Sequence, residues 1–114
     1  MGAEQFITTA EGATADEAFD AARKEALYEH GHRRYSGTIA EKEGFTTFEV
    51  PALASADEAM ARVYARAVLS GQFERGEGDE EMRRIGEAVD DKWGPAGHIP
   101  LAGKRHLFFG WASS

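Results

Sequence analysis

The sequence predicts one α+β domain built on a four-stranded antiparallel sheet of the ferredoxin-like kind. Three observations predict this fold. Two helices begin with capping motifs, short runs of β-branched and aromatic residues separate them, and the elements follow a strand–helix–strand order. A chain of 114 residues is long enough for one modest hydrophobic core, so residues 1–114 are expected to form a single domain.

The first two elements are a strand and a capped helix. Gln5–Ala10 favours extended backbone because it is rich in β-branched and aromatic residues. Thr14 and Glu17 have the spacing of a capping box, in which each side chain satisfies a free amide at the helix start. Apolar residues then recur at helical spacing as far as Gly31, which predicts the end of the helix.

A β-hairpin is predicted after this helix. Its strands are Thr38–Lys42 and Phe45–Val50, joined by a tight turn at Glu43-Gly44. In that register Ile39 lies opposite Phe48, and both side chains point toward the core.

The second half of the chain predicts two more helices and a last strand. Ser55 to Glu58 forms a second capping box at the start of a helix. A third helix is expected over Asp79–Trp93 and ends at Gly94-Pro95. A short extended piece is expected at His98–Leu101 and a strand at Arg105–Ala112. The third helix is then an insertion before the last strand of a β-α-β-β-α-β fold whose two capped helices share one face.

The last strand is apolar on both sides. Leu107, Phe109 and Trp111 lie on one side of it, and Phe108 lies on the other. A sheet with one face in water should alternate apolar with polar residues. The second face therefore needs a cover, and we expect a homodimer. Its predicted interface consists of Phe45, Leu107, Phe109 and Trp111, with the third helix as the competing cover.

Composition excludes several classes of function. The net charge of −7 argues against broad nucleic-acid binding, which needs clustered basic residues. The absence of cysteine excludes disulfides and thiolate chemistry. No apolar run is long enough for a transmembrane helix, and no signal peptide is evident, so a cytoplasmic location is expected. No fingerprint of a nucleotide cofactor is present, and no cofactor is predicted.

The densest group of reactive side chains lies between Glu29 and Lys42, in the run EHGHRRYSGTIAEK. Adjacent arginines beside hydroxyls and glycine amides suit a phosphate or a carboxylate. The two histidines would tune that contact near neutral pH. Trp93 is a candidate stacking surface for the ligand. The predicted ligand-binding residues are His30, His32, Arg33, Arg34, Tyr35, Ser36, Thr38 and Trp93.

Two other interpretations of this segment stay open. Glu29, His30 and His32 have the ligand types of a metal site, and His98 or His106 could supply a further ligand, but no spacing fixes the distance to them, and no metal is predicted. Ser36 and Glu41, with either histidine, have the inventory of a catalytic triad. The elbow sequence of a serine hydrolase is absent, and no catalytic residue is predicted.

Three motifs carry a resemblance. EHGHRRYSGTIAEK, DKWGPAG and HLFFGWASS together resemble small bacteriophage proteins, especially of actinobacteriophages, to which no established activity attaches. The resemblance implies a phage-encoded protein that binds a host component or a small signalling molecule in the host cytoplasm. We therefore expect a non-enzymatic protein that binds a host component or a small anionic ligand through Glu29–Thr38. A small hydrolase or nucleotide-handling enzyme with His30 or His32 as general base is the alternative, and a structural or acidic-mimic protein is a third.

Overall fold

The computed structural model describes residues 2–31, 36–48, 58–70 and 80–113. The chain is α+β, as predicted. In chain order its elements are β1 (Ala3–Glu11), α1 (Ala15–His30), a 3-10 turn (Ile39–Glu41), β2 (Phe45–Thr47), α2 (Glu58–Leu69), α3 (Glu80–Val89), β3 (Ala96–Pro100) and β4 (Arg105–Ser113). None of the described helices combines the length and the hydropathy needed to cross a membrane.

The four strands form one mixed sheet in the order β1-β4-β3-β2. The pairs β1–β4 and β3–β4 are antiparallel, whereas β2 and β3 run parallel. The prediction of a fully antiparallel, ferredoxin-like sheet is therefore wrong. Parallel neighbours need a long crossover between them, and α2 and α3 lie within that connection. The third helix is thus inserted before β3 and not directly before the last strand.

The predicted hairpin does not form. Ile39 lies in the 3-10 turn, which Thr38 caps by accepting a hydrogen bond from the Ala40 amide at 3.2 Å. The backbone of Phe45–Thr47 pairs with β3 instead. Ile39 packs in the cluster beneath α1, and Phe48 packs in the cluster on the opposite face of the sheet. The two residues therefore cannot be cross-strand partners.

The ends of α1 follow the predicted chemistry. The Glu17 amide donates to the Thr14 hydroxyl at 3.2 Å, and the Glu17 carboxylate accepts from the Ala13 amide at 3.1 Å. The helix ends at Gly31, whose φ of 74° suits a residue without a Cβ. Both helix signals are confirmed.

The second capping box lies partly outside the described residues. Ser55 is not described, and the carboxylate of Glu58 accepts hydrogen bonds from Arg105 and Arg62. These two donors hold the pKa of Glu58 below its ordinary value. The first residue of α2 is thereby linked to the first residue of β4.

The helix α3 ends at Val89, four residues before the predicted end at Trp93. The chain turns there because Asp91 accepts from two amides that follow it. Its carboxylate accepts from the Trp93 amide, and its carbonyl accepts from the Gly94 amide, both at 2.9 Å. An Asp side chain that bonds to nearby backbone favours a turn over a helix.

The two predicted capped helices lie on opposite faces of the sheet, which corrects the expectation that they share one face. The cluster on the α1 face contains Ala18, Phe19, Ala22, Ala26, Ile39, Ala96 and Phe108. The cluster on the α2 and α3 face contains Phe48, Ala61, Ala65, Val68, Leu69, Ile85, Val89, Ile99, Leu107 and Phe109. The result is three layers, with the sheet in the middle.

This arrangement explains why β4 is apolar on both sides. Leu107, Phe108 and Phe109 are each 0% exposed, because the helices of the same chain cover both faces. Leu107 and Phe109 therefore offer no surface to a second copy, contrary to their assignment as interface residues. Phe45 lies with its ring centroid 5.0 Å from that of Phe19, and Trp111 packs against the cluster of α2 and α3. Self-association itself stays a prediction.

A buried lysine connects the 3-10 turn to the segment between α3 and β3. Lys42 is 1% exposed, and its ammonium donates to the carbonyls of Asp91, Lys92 and Gly94 at 3.3, 3.2 and 2.9 Å. Burial lowers the pKa of Lys42, and the charge of Asp91 opposes that shift. An ammonium has three donors, so this geometry uses all of them.

We expect Lys42→Met to lower the free energy of unfolding by about 2 kcal/mol, because the thioether fills similar space but donates no hydrogen bond. Urea unfolding followed by circular dichroism measures the change. Lys104→Met removes the same charge from an exposed residue, so we expect it to change stability by less than about 0.5 kcal/mol. Equal effects of the two substitutions would contradict a structural role for Lys42.

We expect Gly97→Ala to destabilise the fold by about 1–3 kcal/mol through overpacking. A Cβ at this position would lie 2.6 Å from Phe109 Cζ and 3.0 Å from Val89 Cγ1. Gly44 has no atom within 4 Å of the same position, so Gly44→Ala is the matched control and should leave stability unchanged or slightly raised. Thermal unfolding of the two variants distinguishes crowding from a general cost of replacing glycine.

Candidate functional site

Half of the predicted ligand-binding residues lie in the described structure. These are His30, Ser36, Thr38 and Trp93. The others, His32, Arg33, Arg34 and Tyr35, lie outside the described residues. Anion binding by the two arginines therefore stays a prediction.

Ser36, Thr38 and Glu41 form a local cluster that shapes the 3-10 turn. The Ser36 hydroxyl and amide both donate to Glu41 Oε2, at 3.0 and 3.1 Å. The hydroxyls of Ser36 and Thr38 are 2.8 Å apart. The carboxylate thus contacts the serine directly, which differs from a triad, where an imidazole stands between them. His30 lies instead 3.9 Å from the carboxylate of its neighbour Glu29.

A cavity of about 130 Å³ lies between α1, β1 and the 3-10 turn, and we call it the α1 cavity. Its lining contains two of the predicted residues, His30 and Thr38. The full lining is Thr8, Ala22, Glu25, Ala26, Glu29, His30, Thr38 and Ile39. Trp93 does not line the α1 cavity. Its side chain is 64% exposed, and its ring centroid lies 5.3 Å from the Lys92 ammonium.

The lining of the α1 cavity is partly apolar and partly acidic. Ala22, Ala26 and Ile39 supply the apolar part, and Glu25 and Glu29 supply two carboxylates. Sequence reasoning did not include Glu25 in the site, although its i,i+4 spacing from Glu29 puts both on one helix face. Within the described residues, no group of three or more His, Asp or Glu side chains could hold a metal ion.

A second feature was not anticipated from the sequence. It is a row of hydrogen bonds across the sheet, which we call the histidine row and which consists of Thr47, His98, His106 and the Gly12 carbonyl. Thr47 Oγ1 lies 2.8 Å from His98 Nδ1, and His98 Nε2 lies 2.8 Å from His106 Nδ1. His106 Nε2 lies 3.1 Å from the Gly12 carbonyl oxygen.

When both imidazoles are neutral, the end group assigns every proton in the histidine row. A carbonyl oxygen can only accept, so His106 Nε2 carries a proton and donates it to Gly12. Neutral His106 then accepts at Nδ1 from His98 Nε2. Neutral His98 in turn accepts at Nδ1, and the Thr47 hydroxyl donates to it. In each of the three hydrogen bonds the donor therefore lies nearer β2 and the acceptor nearer the end of β1.

The middle of the row is buried among aromatic rings. His98 is 2% exposed, and its ring stacks on those of Phe108 and His106 with centroids 5.0 and 5.1 Å away. The Phe45 ring packs against the same imidazole in a T-shaped arrangement, with the two centroids 5.2 Å apart. Burial, and next the electrostatic interaction with His106, lowers the pKa of His98 from 6.5 to about 4. His98 is therefore neutral at neutral pH, as the proton assignment requires.

The sequence carried a signal for this row. β3 and β4 are neighbours along the chain, and Pro100 pairs with His106 while His98 pairs with Phe108. His98 and Pro100 share one face of the sheet because side chains alternate along a strand. His98 and His106 are therefore diagonal neighbours, which are within reach of long side chains. A hairpin interpretation of residues 98–106 would have found them.

No family model, curated protein or solved structure matches this chain. The resemblance to bacteriophage proteins accordingly stays a prediction. The α1 cavity and the histidine row share no residue, so each is interpreted from its own geometry.

The lowered pKa of His98 predicts a loss of stability in mild acid. Above pH 6.5 the imidazole is neutral in both states and contributes nothing. As the pH falls, the unfolded state binds a proton that the folded state does not bind until about pH 4. The free energy of unfolding should therefore fall by about 2 kcal/mol from pH 7 to pH 5.

Urea unfolding at several pH values measures this loss. The range ends at pH 5 because the stabilising ionisation of Glu58, whose pKa is lowered, is lost only in stronger acid. In His98→Gln the loss should be much smaller, since the amide does not titrate and the other histidines are unchanged. The same slope in both proteins would exclude His98 as its source.

Proposed function

We propose that this chain is a small binding protein whose ligand site is the α1 cavity. One observation carries the proposal. The helix end and the 3-10 turn, which flank the segment singled out in the sequence, border a half-open cavity whose lining joins apolar side chains to carboxylates and hydroxyls. Binding sites in proteins typically combine an apolar wall with a few polar groups in this way.

The size of the cavity restricts the ligand. A water molecule takes about 30 Å³ of liquid, so a cavity of about 130 Å³ corresponds to roughly four waters. Drug-sized ligands occupy pockets of about 300–1,000 Å³. The proposed ligand therefore inserts one small head group of a few heavy atoms.

The charge of the lining restricts the ligand further. Glu25 and Glu29 are two carboxylates one turn apart, and Thr8 and Thr38 add hydroxyls. An ammonium or guanidinium group with a short alkyl stem matches this lining, because its donors meet the carboxylates and its stem meets Ala22 and Ile39. Such a group occurs on small amines and on the Lys or Arg side chains of a partner protein.

The position of the two acids supports a binding role. Like charges at i,i+4 destabilise a helix by about 0.2–0.5 kcal/mol. Glu29 lies in the last turn of α1, where a carboxylate also opposes the helix dipole. Two acids that weaken their own helix are better explained by a ligand than by stability.

Two sequence-based hypotheses about this segment remain to be tested alongside this proposal. The small anionic ligand depends on Arg33 and Arg34, which lie outside the described residues, so it stays a prediction. The hydrolase alternative with His30 as general base also stays a prediction, and Glu29 at 3.9 Å is a group that would orient that imidazole.

Methylguanidine and propylamine are the probes that test the cavity. We expect each to bind in the millimolar range and to shift the backbone amide resonances of the α1 C-terminal half and the 3-10 turn, because a small group gains only about 4 kcal/mol. The double variant Glu25→Gln with Glu29→Gln should weaken binding at least tenfold. Its helix should be equally or more stable, since a like-charge pair is removed.

The control is Glu43→Gln with Glu80→Gln, which removes the same charge from two exposed residues outside the cavity lining. If this control loses affinity equally, the probes respond to overall charge and the cavity is not the site. Acetate and methyl phosphate are the anionic probes. Binding of these two in place of the cations would support the arginine hypothesis and reject the cation proposal.

A further inference from the structure

We propose that the Thr47 hydroxyl is a nucleophile for acyl transfer, with His98 as its general base and His106 as a positioning residue. This activity is separate from the proposed binding function. The relevant geometry is the histidine row, in which the hydroxyl donates to His98 Nδ1 at 2.8 Å. A hydroxyl that donates to a neutral imidazole, itself oriented by a third group, is the general arrangement of an activated nucleophile.

Thr47 combines activation with access. The residue is exposed, and it lies on β2, an edge strand of the sheet. Its base, by contrast, is buried at 2% exposure, which shields the imidazole from competing water. A reacting carbonyl can therefore approach the hydroxyl oxygen from the solvent side without displacing the base.

His106 fixes the tautomer that the base needs. Its Nδ1 accepts from His98 Nε2 at 2.8 Å, and its own Nε2 proton is held by the Gly12 carbonyl at 3.1 Å. This leaves the lone pair of His98 Nδ1 directed at Thr47. A flipped tautomer would place a proton on Nδ1, and the imidazole could no longer accept the hydroxyl proton.

The acyl-transfer step balances within these groups. Thr47 Oγ1 attacks the carbonyl carbon of an ester, and its proton passes to His98 Nδ1. The new Oγ1–C bond forms, the bond from carbon to the leaving oxygen breaks, and His98 returns the proton to that oxygen. An ester carbonyl carries no charge before the attack, whereas a phosphoryl group would bring negative charge toward a row that includes no cation.

The neighbouring threonine provides a matched control. Thr46 lies on the same exposed strand, and its side chain points to the opposite face because side chains alternate. It shares the residue type, the exposure and the tryptic peptide of Thr47. It differs in its position relative to the imidazole of His98.

The experiment treats the full chain with p-nitrophenyl acetate at pH 7.5 and measures acetylation at each site by peptide mass spectrometry. Acetylation of Lys24, which has 74% side-chain exposure, is the internal reference for reagent activity. We expect Thr47 to be acetylated at least tenfold faster than Thr46. Thr46→Val should leave the Thr47 rate unchanged, and Thr47→Ser should keep an acetylated hydroxyl at position 47.

The histidine variants test the roles of the two imidazoles. His98→Gln should slow acetylation of Thr47 about tenfold, less than the ~10²–10⁴ of a general base poised near neutral pH, because the pKa of His98 is lowered to about 4. His106→Gln can still accept from His98 and donate to Gly12, so it should retain most of the rate, whereas His106→Ala should lose it. Equal rates in these two His106 variants would remove the positioning role. Circular dichroism checks that each variant is folded.

The release of p-nitrophenol gives an independent readout. Thr47→Val changes an exposed residue and leaves both imidazoles in place, so the variant tests the proposal even if the histidine variants fail to fold. We expect it to lose the fast phase of p-nitrophenol release. If Thr47 and Thr46 react at the same rate, or if Thr47→Val releases p-nitrophenol as fast as the unaltered chain, the proposal is wrong.

Discussion

The burial of β4 on both sides is the constraint on which the rest of the structure depends. β4 lies between β1 and β3, and Leu107, Phe108 and Phe109 are fully removed from water. A strand of this kind needs an apolar layer on each side. One helix supplies the first layer and two supply the second, so the chain must divide its helices between the faces. That division also places the two sites, because the α1 cavity lies along α1 and the histidine row ends just before it.

The part of the fold that could be predicted from the sequence is the part fixed by local chemistry. Thr14 marks the start of α1 and Gly31 marks its end, each through groups within a few residues of it. The apolar pattern of β4 correctly indicated that both faces are covered, although the covers are helices of the same chain. The partner of β2 could not be predicted, because a strand of three residues carries little information and its parallel neighbour lies about fifty residues away. Turn chemistry at Glu43-Gly44 favoured a hairpin, and the tertiary pairing with β3 overrode it.

For the candidate sites too, local features could be predicted from the sequence and contacts between distant segments could not. Sequence reasoning found the end of α1 because reactive side chains are concentrated there, and His30 and Thr38 do line one cavity. It missed the acidic character of that cavity, which comes from Glu25, one turn earlier on the helix. It also missed the histidine row, since His98 and His106 were considered as metal ligands and not as cross-strand neighbours. Chemistry that depends on strand register is visible only when the register is known.

The short edge strand has a consequence for how the histidine row moves. β2 is three residues long and, among the described residues, pairs along one side alone, whereas the two imidazoles lie on the inner strands β3 and β4. Local opening of a folded protein begins where few buried contacts resist it. Thr47 therefore lies on the strand that should open most readily, whereas His98 and His106 lie on strands that should stay paired longer. Detachment of β2 would carry Thr47 into solvent while leaving His98 and His106 in register, so the hydroxyl can part from its base without global unfolding.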